Sequence, residues 1–192
     1  MARSARAFGA ALSVLLLATP ALAHTGHGSG FAMQDGFQHP LNGLDHLLAM
    51  VAVGLWAWQI GGRSVAVLPL TFVAAMAVGA AAAMGGLGVN GIEFLIVGSV
   101  VILGLALALE VKAGSAVAVP VIALFAMAHG QAHGAEAPLG ADPAGYVAGF
   151  LAATALLHVG GIGLGMLLAR QATAARVAGA LIALAGVGLA TI

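Results

Sequence analysis

Six apolar stretches, almost free of charge and separated by short breaks, dominate this chain and limit what it can fold into. They fall at about 44–60, 65–84, 92–109, 115–129, 146–169 and 176–192. Of the 192 residues 62% are hydrophobic and only 6% are charged, against roughly 25% charged in a soluble domain. Six basic and six acidic side chains cannot clothe a water-soluble globule of this length. The expected fold is all-α: a polytopic membrane protein, a six-transmembrane-helix bundle that follows a cleaved signal peptide. Several stretches lie near the lower limit of roughly 17–25 residues for a spanning helix. The fourth is the shortest and contains Pro120, so a kinked helix is expected there. Zero net charge leaves no electrostatic footprint for nucleic acid. Without cysteine, disulfides, thiolate metal sites and cysteine nucleophiles are all excluded.

Residues 1–23 read as a signal peptide. Arg3 and Arg6 make a positive n-region, 8–18 is an apolar run too short to span a bilayer, and Ala21-Leu22-Ala23 offers the small residues a signal peptidase reads. Cleavage leaves 24–192 as a single six-helix domain that begins His24-Thr25-Gly26-His27 outside the cytoplasm. Three connections, at 61–64, 110–114 and 170–175, then face the cytoplasm. Arg63, Lys112, Arg170 and Arg176, the only basic residues of the mature chain, all fall in or beside them. Asp35, Asp45, Glu93, Glu136 and Asp142 gather toward the other face. The positive-inside rule and the leader thus agree from different residues. Both mature termini are expected on the periplasmic side of a bacterial inner membrane. Glycines four apart, Gly145 with Gly149 and Gly161 with Gly165, suit close helix packing in lipid. They define no oligomeric state, and a homo-oligomer stays open.

The chemistry rests on three polar constellations. The first is His39-Pro40-Leu41-Asn42-Gly43-Leu44-Asp45-His46. On a helix that starts at Pro40, a first-turn position suited to proline, Asn42 shares a face with Asp45 and His46, and His39 hangs at the outer mouth. The second is His129-Gly130-Gln131-Ala132-His133-Gly134-Ala135-Glu136. If the helix persists past the glycines, His129, His133 and Glu136 share one face. The third is His158, with Thr154 one turn before it. The rise from Tyr146 puts His158 about 18 Å deep, near the middle of a ~30 Å hydrocarbon core. Ionisable groups inside a membrane usually face a bundle interior or a water-filled path. The three constellations reach a similar depth from three different helices.

Imidazole and carboxylate together suit a divalent transition metal such as nickel, cobalt or zinc and disfavour a purely soft ion. The seven methionines show no paired spacing of the kind copper(I) handling needs and read as core filler. No phosphate-binding glycine loop is present, so no nucleotide partner is expected. Two other readings of the same residues stand beside transport. One is an intramembrane zinc-dependent hydrolase, since histidines with an acid can hold a catalytic ion with an open position. The other is a metal-binding sensor or accessory protein without flux.

The stretches HPLNGLDH (39–46) with LLAMVAVGLWA (47–57), and HGQAHGAE (129–136) with Phe125 one turn earlier, resemble the HupE/UreJ family of nickel permeases, small membrane proteins associated with hydrogenase and urease systems. The resemblance covers essentially the whole chain. It implies uptake of nickel, and in some members cobalt, across the bacterial inner membrane, with the ion as cargo and no prosthetic group. Carried over residue by residue, the functional positions are His39, Asp45, His46, His129, His133 and Glu136. His158 joins them from the depth argument. The expected route gathers ions at His24, His27 and Asp35, passes them to His133 and Glu136, then to Asp45, His46 and His129, and finally past His158.

Overall fold

The computed structural model describes residues 31–191; the expected leader and the histidines at 24 and 27 lie outside the described residues. Within them the chain is all-helical: α1 (Ala32–Asn42), α2 (Leu44–Ile60), α3 (Ser64–Met84), α4 (Ile92–Ala108), α5 (Ser115–Ala135), α6 (Pro143–Leu168) and α7 (Ala172–Leu189). Helices α3, α5, α6 and α7 are long and apolar enough to cross a membrane. Helices α1 and α2 reach that criterion only as a pair bent by 82°. Helix α4 is apolar but has 17 residues. The described chain therefore carries four to five candidate spans, with α4 as a shorter apolar helix beside them. Large apolar side chains such as Leu70, Val78, Phe94 and Leu167 point outward, as a lipid-facing surface requires. This is a multi-pass membrane protein.

Two local expectations are corrected. The first concerns Pro40, which does not open the helix that carries Asp45 and His46. It lies inside a separate helix, α1, which ends at Asn42. Gly43 follows with extended backbone, φ −91° and ψ 114°, so Asn42 does not share a helical face with Asp45 and His46. The second concerns α5, which does not stop near residue 129 but continues through Gly130 and Gly134 to Ala135. These glycines do not act as breakers because each receives a neighbouring backbone. A Cβ on Gly130 would strike the Met76 carbonyl, and one on Gly134 would strike that of Ala80.

That close approach locks α3 and α5 side by side and parallel, with Met76 opposite Gly130 and Ala80 opposite Gly134. Helices α2 and α6 are locked in the same way: Gly54 abuts the backbone of His158 and Gly161, and Gly165 receives the Trp58 ring. Helix α1 lies across the start of α6, where Gly36 and Gly149 take the backbones of Tyr146 and Met33. Helices α4 and α7 form a third pair through Gly104 and Gly179. In lipid, where apolar burial gives little drive, such backbone contact supplies much of the association. Gly130→Val is therefore expected to destabilise the bundle at the upper end of the ~1–3 kcal/mol range for overpacking, because the obstacle is a carbonyl rather than a movable side chain. Denaturant unfolding in mixed micelles measures it.

At the end away from α1, three side chains tie helix ends together. Trp56 Nε1 donates to the Val111 carbonyl at 2.8 Å, Gln59 Nε2 to that of Leu107 at 3.1 Å, and Arg176 Nε to that of Ala108 at 3.2 Å. Arg63, Lys112 and Arg170 lie in the connections at this same end.

Candidate functional site

The polar residues converge at the opposite end, between α1, α2, α5 and α6. The break at Gly43 turns the chain so that His39 on α1 and His46 on α2 reach the same neighbour. The His133 ring centroid lies 4.8 Å from that of His39 and 4.6 Å from that of His46. His46 and His129 are 4.9 Å apart. On α5, His129 and His133 are one turn apart, so both rings project to one side and each meets His46. His133 also stacks on Phe150 of α6 at 5.0 Å with a 13° interplanar angle, which fixes its plane. His46, His129 and His133 are buried, while His39 and Asp45 are partly so.

Each carboxylate is paired with one imidazole. Asp45 Oδ1 accepts from both the backbone N–H and Nδ1 of His46, each at 2.8 Å. Space at Gly43 is part of this arrangement, since a Cβ there would crowd Asp45 Oδ1 and His46 Nδ1 at 3.0 and 3.1 Å. Glu136, just past the end of α5, accepts from His39 Nε2 at 2.7 Å. That hydrogen bond holds the Glu136 carboxyl below its ordinary range despite partial burial, so it stays ionised at neutral pH. The pair bridges α1 to the end of α5 at the partly exposed rim of the cluster.

These hydrogen bonds also settle which nitrogens have free lone pairs. His46 spends Nδ1–H on Asp45, and His129 spends Nδ1–H on the Phe125 carbonyl at 2.8 Å. In the neutral form of each ring Nε2 carries the free lone pair, and in both it is buried with no partner among the described residues. Both nitrogens of His133 are buried and unpartnered among the described residues as well. A buried polar atom without a partner costs about 1–3 kcal/mol, so these three rings in contact present lone pairs that a bound cation or water would satisfy. A carboxylate behind an imidazole is also the usual means of orienting a metal-binding histidine.

The expected residues do not all meet. His39, Asp45, His46, His129, His133 and Glu136 form one continuous cluster, whereas His158 lies a layer beyond it. Phe72 of α3 separates the two, with its ring 5.5 Å from His129 and 5.0 Å from His158. Both nitrogens of His158 are buried and, among the described residues, unpartnered. Asp35 is exposed on α1 and makes no contact with the cluster among the described hydrogen bonds. Among the described residues no three histidine or carboxylate side chains close around one point as a metal cage. The arrangement is a chain of neighbouring pairs running inward. Phe72, Phe150 and Tyr146, whose ring lies 5.9 Å from His39, shape this site without having been singled out in the sequence. An aromatic ring in an apolar helix gives no signal that distinguishes a site wall from ordinary core.

Comparison with known proteins agrees with the sequence motifs. The family model described as HupE / UreJ protein matches residues 12–189. Protein HupE of Rhizobium leguminosarum bv. viciae is 46% identical over 181 residues, which cover 93% of this chain and 94% of that protein. No solved structure matches the chain. With a match that runs from before the first described helix to the end of α7, and with both histidine motifs gathered into one buried cluster, the chain belongs to the HupE/UreJ family.

Proposed function

We propose that this protein is a permease that takes up nickel, and with it cobalt, across the bacterial inner membrane. In this reading the chain crosses the bilayer six times, with α1 and α2 together making the first crossing and the 17-residue α4 the third. The leader at 1–23 is removed, and both mature termini face the periplasm. The single observation that carries the proposal is the histidine cluster: unpartnered imidazole nitrogens from α2 and α5 inside an otherwise apolar bundle, with Asp45 behind His46 and Glu136 on His39 at the rim. Basic residues collected at the opposite end support a cytoplasmic location for that end.

The cation enters at His39 and Glu136, where the carboxylate offsets part of its charge. It exchanges water for His133, moves to the Nε2 atoms of His46 and His129, and continues past Phe72 to His158. Asp45 orients His46 and neutralises part of the charge during this step. Conduction requires sites that hold an ion strongly enough to admit it and weakly enough to release it. Successive pairs of donors meet that requirement better than a closed four-ligand cage. Family membership supports a transport role. Transport is driven by the ion gradient or a coupled ion, not by ATP.

Radiolabelled nickel uptake into proteoliposomes tests this reading. Wild-type protein is expected to accumulate nickel, with cobalt competing better than zinc, and His46→Ala is expected to reduce uptake to the level of empty liposomes. Binding without flux in the wild-type protein would overturn it.

A further inference from the structure

One layer beyond the histidine cluster, two methionine sulfurs meet over a single hydroxyl. Thr154 Oγ1 on α6 lies 3.4 Å from Met50 Sδ on α2 and 3.5 Å from Met76 Sδ on α3. The sulfurs are therefore within two hydrogen-bond lengths of one another although 26 positions separate them in the chain. All three side chains are fully buried. Their places along the helices follow in register. Met50 is one turn inward from His46, Thr154 lies one turn from both Phe150 and His158, and Met76 is one turn from Phe72. The thioether layer thus falls between His46 and His133 on one side and His158 with Phe72 on the other.

This layer differs in chemistry from the one above it. A threonine inside a helix commonly directs its hydroxyl to a carbonyl of the preceding turn, yet the Thr154 hydroxyl faces two sulfurs, which are weak acceptors. Both thioethers are thus held against the same hydroxyl. One turn further along α6, His158 has both nitrogens buried and, among the described residues, unpartnered. Two thioethers joined by a neutral imidazole would make a soft donor set. Thioethers favour copper(I) and its congeners over oxygen-seeking divalent ions. A monovalent charge is also the least costly to place among neutral donors in a low-dielectric interior. Methionine's unbranched chain allows the two sulfurs to close on an ion without moving the helices.

We propose that Met50 and Met76, with His158 one turn further in, form a binding site for a soft monovalent cation, copper(I) or silver(I), separate from the histidine–carboxylate cluster. The site goes beyond the divalent reading, and a failure of nickel flux would leave it standing, because its readout is equilibrium binding. The probe is Ag+ titrated into the full chain in lipid nanodiscs, followed by silver-edge X-ray absorption. Wild-type protein is expected to show sulfur directly bound to silver. Met50→Leu/Met76→Leu, which conserves volume and apolarity, is expected to lose that sulfur shell. Its affinity should fall by at least the roughly tenfold that losing even an orienting partner of a metal site costs. Met33→Leu/Met127→Leu, at two exposed methionines, is expected to retain both the shell and the affinity. A wild-type shell of nitrogen and oxygen alone, or a sulfur shell that survives in Met50→Leu/Met76→Leu, overturns the proposal. If the double variant does not fold, the single variants Met50→Leu and Met76→Leu decide, each expected to lose one sulfur from the shell; a full sulfur shell in both overturns the proposal.

Discussion

Asp45→Asn is expected to lower nickel uptake by about 10–100-fold, the range found when the partner that orients a metal-binding histidine is removed. The substitution keeps size and hydrogen-bonding shape, so the bundle should assemble as before. Two things change. An amide can present its NH2 to His46 Nδ1, which inverts the ring's tautomer and puts a proton on the Nε2 that faces His129. The negative charge that offsets an entering cation is also lost, in a region where charge is costly to bury. Initial uptake rates in proteoliposomes, normalised to protein recovered as a folded species by size exclusion, give the measurement. Uptake within twofold of wild type would remove Asp45 from the path.

His133→Leu is expected to abolish uptake altogether. His133 is the ring in contact with both His39 and His46, so its removal opens a gap in the succession of donors between the rim and the interior. Leucine still packs on Phe150, and the loss of two unpartnered buried nitrogens should leave folding unharmed or somewhat improved. The variant is thus expected to unfold at equal or higher denaturant than wild type while carrying no nickel. A variant that is both more stable and fully active would show that ions bypass this ring.

The cluster was largely legible in the sequence because imidazole and carboxylate are rare and costly inside apolar segments. His39, Asp45 and His46, and likewise His129, His133 and Glu136, stand out against leucine and alanine on either side. Their spacing on α5 also anticipated a shared face for His129 and His133. The elements built from less distinctive residues were not legible. Helix α1 lies ahead of the first apolar stretch, and Pro40 looked like a helix start because the break at Gly43 has no marker beyond the glycine itself. Gly130 and Gly134 looked like weak points in a helix; their role depends on Met76 and Ala80, about fifty residues earlier. Phe72 separates His158 from the other histidines, and Met50 meets Met76, only through the way three helices lie against one another. Short-range spacing cannot show such meetings.

The glycine contacts have a mechanical consequence. Helices α2 and α6 are joined backbone to backbone at Gly54 and Gly161, and α3 and α5 at Gly130 and Gly134, so each pair forms a stiff rib. The seam between the ribs is crossed instead by side chains. His46 and Phe150 belong to one rib, and His129 and His133 to the other; Met50 and Thr154 face Met76 across the same line. A small tilt of one rib against the other therefore changes all of these separations together while leaving every backbone contact intact. The donors along the seam behave as the teeth of a single zip, loosened or drawn tight by one motion.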